Sequence, residues 1–309
     1  MKATAQAPSK VIISGEHFVV HGAWALAAAI GKKVTVDVEP SDRLRVSSDI
    51  FGNSSPSVIN PVSKVVEQMA KTFSFKPDLR FSIHSEVPGG AGLGSSASTM
   101  VAVAAAISRL KSLELGGREL TECAMAGEQV VHGRPSGVDA AVCARGGVLL
   151  YRPGSEPKTV RIDGRRRLLV VFSGSNRSTK RLVSHVADVR ARFPAYFSGL
   201  AESAADVATL AARRLEEGDM KGLGRILTYN HAVLSAVGVS TVRLDRLVDL
   251  LLSLGCYGAK LTGAGGGGSV LAVAAEGKEK RIISEVTKRG FEAFVSVIPV
   301  VGVKSWLRP

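Results

Sequence analysis

Residues 88–97, PGGAGLGSSA, place four glycines and then two serines directly before a long run rich in alanine and valine. Glycine loses more backbone freedom on ordering than other residues, so such a cluster indicates a conformation that other residues reach with difficulty. The alternating segment at 80–87 predicts a strand before this loop, and residues 96 to about 113 predict a helix after it. A glycine turn that opens a helix can bring backbone N–H groups to a phosphate.

This loop differs from the two common glycine-rich nucleotide loops. It lacks the Gly-Lys-Ser/Thr of a Walker A motif, and Ser95 stands where the GxGxxG pattern needs glycine. A serine hydroxyl at the helix start can still coordinate a magnesium ion that bridges two phosphates. The alternative is a tight turn in which Ser95 or Ser96 is an ordinary N-cap. The complete sequence GLGSSA favours phosphate binding.

A second glycine loop, GAGGGG, occupies residues 263–268 and matches GxGxxG literally. A dinucleotide-binding loop should open a helix, whereas residues 269–275 are apolar and predict a strand. A protein kinase would need its lysine and its HRD and DFG segments after this point, and residues 271–309 contain none of these segments. We predict a loop between two strands that brings N–H groups to a ligand. The alternative is a glycine-rich hairpin.

Two carboxylates lie on either side of the turn GRPSG at 133–137. Glu128 falls in the last turn of a helix predicted over 119–131, and Asp139 falls in an apolar segment, VDAAV, that predicts a strand. An aspartate among apolar residues is costly unless it is paired, hydrogen-bonded or catalytic. One carboxylate could hold Mg²⁺ while the other orients or deprotonates a hydroxyl. The alternative is that Asp139 accepts hydrogen bonds from the backbone of its own turn.

Polar residues also flank the first predicted strand, at 11–14. Lys10 precedes this strand, and Glu16 and His17 follow it after Gly15. Glycine allows a sharp exit that could direct these side chains into a cleft. Position alone does not distinguish this arrangement from solvated strand ends.

The composition indicates two mixed α and β domains. The 309 residues are 45% apolar, which is enough for two cores, and a Pro/Gly-rich charged segment at 153–166 places the boundary between 1–155 and 156–309. The net charge is +13, but the positive residues are scattered and no aromatics lie among them, so we expect no nucleic-acid partner. We expect no membrane segment. Three cysteines without a CxxC motif suit a reducing cytoplasm.

Four segments together resemble the GHMP superfamily of small-molecule kinases and, within it, the mevalonate kinases. They are KVIISGEHFVVHG (10–22), PGGAGLGSSAS (88–98), GEQVVHGRPSGVDAAV (127–142) and KLTGAGGGGSV (260–270). The resemblance implies an α+β fold with an N-terminal domain like ribosomal protein S5 domain 2, a ferredoxin-like C-terminal domain and an active site between them. It implies ATP and mevalonate as substrates and Mg²⁺ as cofactor. A homodimer is compatible with the sequence.

The resemblance also implies a role for each site residue. Asp139 would be the catalytic aspartate, with Lys10 assisting the reacting hydroxyl, and Ser96 and Glu128 would hold Mg²⁺. The ATP-binding residues would be Pro88, Gly89, Gly90, Ala91, Gly92, Leu93, Gly94, Ser95, Ser96 and Ala97. The substrate-binding residues would be Glu16, His17, Thr179, Gly263, Ala264 and Gly265.

Two alternatives stay open at this point. A related kinase could act on phosphomevalonate, a sugar or another hydroxyl of mevalonate, and a GHMP fold could serve as a non-catalytic binding module. The combination of GEHFVVHG with GRPSGVDA favours mevalonate as the acceptor. The presence of the lysine, the serine and both carboxylates favours an enzyme.

Overall fold

The computed structural model describes residues 1–49, 56–175 and 179–308, which form two β-sheets with helices packed against them. The first sheet contains β1 (Lys2–Ser14), β2 (Ala25–Pro40), β3 (Arg45–Ser48), β4 (Leu79–Ser85), β5 (Val148–Tyr151), β6 (Lys158–Thr159) and β11 (Lys304–Arg308). The second contains β7 (Arg166–Phe172), β8 (Cys256–Thr262), β9 (Ser269–Ala274) and β10 (Glu292–Ile298).

The helices form two groups along the chain. The first group is α1 (Pro56–Phe73), α2 (Ser95–Leu110), α3 (Gly117–His132) and α4 (Val138–Arg145), which pack on the first sheet or on one another. The second group, after β7, is α5 (Thr179–Arg192), α6 (Pro194–Glu216), α7 (Met220–Ala236), α8 (Val242–Ser253) and α9 (Glu279–Lys288). Helices α7, α8 and α9 pack on the second sheet, whereas α6 packs on β1 and β2 of the first. We call the first sheet with α1–α4 the N-terminal domain and the second sheet with α5–α9 the C-terminal domain. Within the described ranges, no helix is long and apolar enough to cross a bilayer.

The N-terminal sheet is mainly antiparallel, with the strand order β11-β1-β2-β4-β3 and with β5 and β6 attached to β2. Helix α2 is buried on every side because alanine and valine fill most of it, from Ala97 to Ser108. It packs on β1 and β2 and against α1, α3 and α4. The helix that follows the first glycine loop is therefore the centre of this domain's core, and its first turn has a fixed position.

The C-terminal sheet has the strand order β10-β7-β9-β8, and its strands and helices follow one another as β-α-β-β-α-β. This is the ferredoxin-like split β-α-β arrangement. Four helices, α5–α8, occupy the first crossover, and α9 occupies the second. The second glycine loop joins β8 to β9, as the apolar residues after it predict.

The two domains share buried apolar surface and one strand crosses between them. Val11 and Leu26 of the first sheet belong to the same buried cluster as Val170 and Leu271 of the second. Strand β11 follows the whole C-terminal domain in the chain yet pairs with β1. Both sheets thus contain residues from beyond position 155, and the boundary at 155/156 stays a prediction.

Two local predictions were wrong. Asp139 lies in the first turn of α4 and not in a strand, because Gly137 reverses the chain with φ of +88° and a helix begins directly after it. Lys10 lies inside β1 and not before it, because residues 3–8 already pair with β2 and residues 2–6 pair with β11. Residues 138–145 are buried on nearly all sides, so periodicity does not separate a helix from a strand there. Residues 2–9, KATAQAPS, contain no large apolar side chain that would predict a strand.

Candidate active site

A cavity of about 770 Å³ lies between the two domains and collects the segments that the sequence singled out. The N-terminal domain contributes the first glycine loop and the end of β1 with the turn after it. It also contributes the C-terminal end of α3 and the first turn of α4. The C-terminal domain contributes one face of α5 together with Gly263 and Ala264. The serines that follow the first glycine loop, Glu128 and Asp139 therefore all line the same cavity.

The first glycine loop forms the floor of this cavity. Gly90, Gly92 and Gly94 have φ of +76°, +76° and +77°, a region that favours glycine. Gly94 is the N-cap of α2, and no side chain of the described residues caps this helix, so neither serine serves as an ordinary N-cap. The free N–H groups and the positive end of the helix dipole suit a phosphate chain. Residues 89–96 line the cavity, whereas Ala97 packs into the core.

Gly94 has a second role that sequence reasoning missed. A Cβ atom at this position would lie 2.6 Å from Cε and 2.8 Å from Cγ of Lys10. The side chain of Lys10 crosses directly over Gly94 to reach the cavity. Because Gly94 has no side chain, its backbone can adopt the positive φ of the turn and Lys10 can pass close to it.

Ser96 and Glu128 meet at the start of α2. The Ser96 hydroxyl donates a 2.5 Å hydrogen bond to Oε1 of Glu128, and Nε2 of His132 lies 3.7 Å from the other carboxylate oxygen. Burial raises the pKa of Glu128 to about 7, although the Ser96 hydrogen bond opposes this effect. A buried carboxylate of this kind is costly unless a proton or a cation accompanies it.

This pair fits a magnesium ion. Mg²⁺ prefers oxygen ligands and commonly takes one or two from protein while phosphates and water supply the rest. Within the described ranges, no group of three or more His, Cys, Asp or Glu side chains is arranged to hold a metal ion. A hydroxyl and a carboxylate beside a phosphate-ready loop suit a metal that arrives with a nucleotide.

Lys10 and Asp139 form the second polar pair. Nζ of Lys10 lies 2.9 Å from Oδ2 of Asp139, and the Lys10 side chain is 3% exposed. The Tyr151 hydroxyl donates to the Ser136 carbonyl at 2.7 Å and fixes the turn that presents the aspartate. Oδ1 of Asp139 is buried and has no hydrogen-bond partner among the described residues. One carboxylate oxygen is thus held by lysine, and the other has an unused capacity to accept a hydrogen bond.

His17 connects this wall to the second glycine loop. Its backbone has φ of +63°, and Nε2 lies 2.9 Å from the Ala264 carbonyl. Burial lowers the pKa of His17, so the ring is neutral near pH 7 and donates its Nε2 hydrogen to that carbonyl. Such backbone strain in a non-glycine residue often accompanies a functional site.

Two family models match the chain, GHMP kinases N terminal domain at residues 60–147 and GHMP kinases C terminal at residues 211–292. The chain is 36% identical to a mevalonate kinase of Aeropyrum pernix, with 98% of both chains covered. It is 34% identical to a mevalonate kinase of Thermococcus gammatolerans, again with 98% of each covered. The chain belongs to the GHMP kinases.

Solved structures show the same relationship for this GHMP kinase. L. major mevalonate kinase in complex with R-mevalonate is 29% identical, with a TM-score of 0.82 and 96% of each chain covered. Methanococcus jannaschii mevalonate kinase is 26% identical, with a TM-score of 0.81 over 96% of this chain and 98% of that one. The predicted two-domain α+β fold is confirmed.

The structure gives Glu16 of this GHMP kinase a partner that sequence reasoning missed. Glu16 lines the cavity, yet its carboxylate forms a buried ion pair with Lys260 of β8 and accepts a 3.3 Å hydrogen bond from Nδ2 of Asn230. Lys260 is completely buried and also donates to the Ile12 carbonyl at 3.3 Å. The signal in the sequence is a lysine within the mostly apolar segment 256–262, because a buried lysine needs an acidic partner.

Three other predicted site residues are not among the described residues that line the cavity. Gly265 packs against the Val239 carbonyl, where a Cβ atom would lie 2.2 Å away. Pro88 is exposed at the start of the first glycine loop. Thr179 begins α5, and its side chain lies outside the described residues, as do residues 176–178.

Proposed function

We propose that this GHMP kinase transfers the γ-phosphoryl group of ATP to the 5-hydroxyl of mevalonate, giving 5-phosphomevalonate and ADP. The observation that carries the proposal is Asp139, with one oxygen held by Lys10 and the other buried without a partner in the described structure. Relatives of the same length that are named mevalonate kinases support the choice of acceptor. A fold match to a mevalonate kinase with R-mevalonate supports it as well.

ATP would lie along the first glycine loop. The N–H groups of the loop and of the first turn of α2 would bind the phosphates, as their geometry allows. Beyond this loop the cavity continues between mainly apolar residues, Pro61, Ile83, Met100 and Met125. A slot of this kind suits the flat, largely apolar face of a purine base.

Ser96 and Glu128 would hold Mg²⁺. The ion, when bound, neutralises charge on the phosphate oxygens during transfer. Glu128 must lose its proton to act as a ligand, and its pKa of about 7 without a cation makes this requirement depend on pH. The Ser96 hydroxyl can keep donating to Glu128, because the lone pairs of its oxygen stay free to face the metal.

Asp139 and Lys10 would act on the alcohol. The 5-hydroxyl would donate to Oδ1 of Asp139, and its proton would pass to this carboxylate as the new O–P bond forms. Lys10 fixes the carboxylate through Oδ2 and places a positive charge beside the reacting oxygen. Phosphoryl transfer needs chiefly such positioning and charge neutralisation from a protein.

We extend the proposal to the remaining predicted contacts. His17, Gly263 and Ala264 line the cavity and would contact mevalonate directly. Glu16 would contribute through its buried pair with Lys260, and Thr179 and Gly265 stay predicted substrate-side residues. A cytoplasmic location is supported by three buried free cysteines, Cys123, Cys143 and Cys256. A homodimer is also proposed, and sedimentation would establish it.

The deciding experiment is an acceptor panel. ADP release is measured with mevalonate, phosphomevalonate and galactose, with and without Mg²⁺, and the phosphorylated carbon of the product is identified by NMR. We expect magnesium-dependent turnover with mevalonate and phosphate on carbon 5. Turnover of another acceptor only, or phosphate on another carbon, would refute the assignment, and a complete lack of turnover would favour a binding module.

A further inference from the structure

The cavity contains a cationic side chain that the proposed chemistry does not use. In the described structure its lining includes Lys10, Arg134 and Arg190 as lysine and arginine residues. Lys10 is paired with Asp139. Arg134 lies on the turn that follows α3, the helix that carries Glu128. Arg190 comes from the opposite domain, near the end of α5, and forms no ion pair with a carboxylate among the described residues.

Arg190 is held in a definite place by His21. Nη1 of Arg190 lies 3.1 Å from Nδ1 of His21. Burial lowers the pKa of His21, and the neighbouring Arg190 charge lowers it further, so the neutral ring accepts this hydrogen bond near pH 7. The His21 ring is itself fixed edge-on against Phe197, at 5.1 Å between centroids, and Phe197 is buried. Arg190 and this hydrogen bond are exposed to solvent, so the guanidinium is linked to His21 and stays accessible to a ligand.

Arg190 lies next to apolar residues that line the same cavity. Val183, Val186 and Ala187 of the same helix also line the cavity and form an apolar surface next to the guanidinium. The lining also includes Lys10, Glu16, His17 and His21 of one segment of the chain, and His21 is the partner of Arg190. A ligand that follows this segment would meet Lys10 at one end and the Arg190–His21 pair at the other.

We propose that Arg190, tethered by His21, binds the carboxylate of the acceptor alcohol. This inference rests on the proposed function, because mevalonate carries its 5-hydroxyl and its carboxylate at opposite ends of a five-carbon chain. Asp139 receives the hydroxyl end, so the carboxylate needs a separate cation. Arginine is suited to this task because its planar fork can donate two parallel hydrogen bonds to one carboxylate. The binding of the remote end then positions the reacting hydroxyl.

The test compares mevalonate with a neutral analogue, 3-methylpentane-1,3,5-triol, in which a hydroxymethyl group replaces the carboxylate. For Arg190→Gln we expect KM for mevalonate to rise about 10- to 100-fold, the effect of losing a hydrogen bond to a charged group. KM for ATP and the kinetics with the triol, as substrate or as competitive inhibitor, should stay unchanged. Arg190→Lys should give an intermediate value because it keeps the charge and loses the fork.

Arg192→Gln is the matched control, because Arg192 is an exposed arginine two residues further along α5. It should leave both acceptors unaffected. An equal loss with mevalonate and the triol, or a rise in KM for ATP alone, would overturn the proposal. A failure of the proposed function looks different, since the wild-type enzyme would then transfer no phosphate to mevalonate. Calorimetric binding of mevalonate and triol to wild type and Arg190→Gln would still decide the role of Arg190.

Discussion

At the scale of single residues, the site depends on two carboxylates in different surroundings. Asp139 is half-buried and forms an ion pair with Lys10, whereas Glu128 is buried and accepts a hydrogen bond from Ser96. The first arrangement suits a group that receives a hydroxyl proton, and the second suits a group that awaits a cation. The same residue type thus serves two purposes because its neighbours differ.

Asp139→Asn tests the first carboxylate. The amide keeps the shape of the side chain and loses the ability to accept the hydroxyl proton, so kcat should fall by roughly 10²–10⁴-fold. Binding of ATP, measured by calorimetry, should change little. Asp206→Asn, at an exposed position of α6, is the control and should retain normal turnover. Near-normal kcat in Asp139→Asn would exclude the proposed role.

Glu128 predicts a pH dependence of stability in the metal-free protein. Its pKa rises from 4.5 to about 7 on folding, so the folded state binds the proton more tightly than the unfolded state. The stability this gives is present below pH 4.5 and is lost as pH rises through about 7. The loss amounts to about 3 kcal/mol at most, since one pKa unit corresponds to about 1.4 kcal/mol.

Denaturant unfolding between pH 4.5 and 8 measures this loss, and Glu128→Gln should abolish most of the slope. Magnesium should oppose the loss at high pH in the presence of nucleotide, because only the ionised carboxylate binds the metal. An identical slope in the wild type and in Glu128→Gln would mean that other groups cause it.

At the scale of elements, the first glycine loop and β1 are in direct contact. The loop turns into α2 through three glycines of positive φ, and the side chain of Lys10 from β1 crosses the last of them. Sequence reasoning predicted the loop, the strand before it and the helix after it, because turn residues and periodicity are local signals. It did not predict the crossing, because Lys10 and Gly94 are far apart in the chain.

Gly94→Ala separates the two roles of this glycine when it is compared with Gly154→Ala. Both glycines have φ of +77°, but a Cβ atom at Gly154 meets nothing within 4 Å, whereas at Gly94 it meets Lys10. Both variants should lose about 1–2 kcal/mol of stability from the left-handed backbone. Only Gly94→Ala should also lose most of its kcat, because Lys10 is displaced. Equal kcat values in the two variants would contradict this assignment.

Other elements show where sequence reasoning ends. Helices α2 and α3 and strand β9 lie within three residues of their predicted bounds, because each has a clear period or clear flanking breakers. Helix α4 was predicted as a strand because its residues are buried almost throughout. The pairing of β11 with β1, and of Lys260 with Glu16, joins segments that only the completed fold brings together. Long-range pairs of this kind leave no local pattern.

At the scale of the whole molecule, the buried polar contacts between the domains are as important as the shared apolar core. The carbonyl of Ile12 accepts from Lys260 and from the Thr262 hydroxyl, and Asn230 donates to the Ile13 carbonyl. These bonds hold the end of β1, and hence the wall that carries Lys10 and His17, against the C-terminal sheet. The geometry of the site therefore depends on both domains.

Lys260→Met tests this interface. Removing one partner of a buried ion pair leaves Glu16 as an uncompensated buried charge, which should cost about 3–5 kcal/mol. The double variant Lys260→Met with Glu16→Gln should recover most of that loss, because no charge is then left unpaired. Lys288→Met, which breaks an exposed pair with Glu285, is the control and should cost about 1 kcal/mol or less. Urea unfolding measures all four proteins, and equal losses for Lys260→Met and Lys288→Met would contradict the argument.

The return of β11 to the first sheet has a mechanical consequence. The C-terminal domain is attached to the rest of the molecule by two covalent crossings, at residues 160–165 and 299–303, and not by a single linker. Two anchor points define one line, so relative rotation of the domains is confined largely to that line, while twisting and separation are suppressed. Any opening that admits nucleotide and releases product should then follow a single angular coordinate.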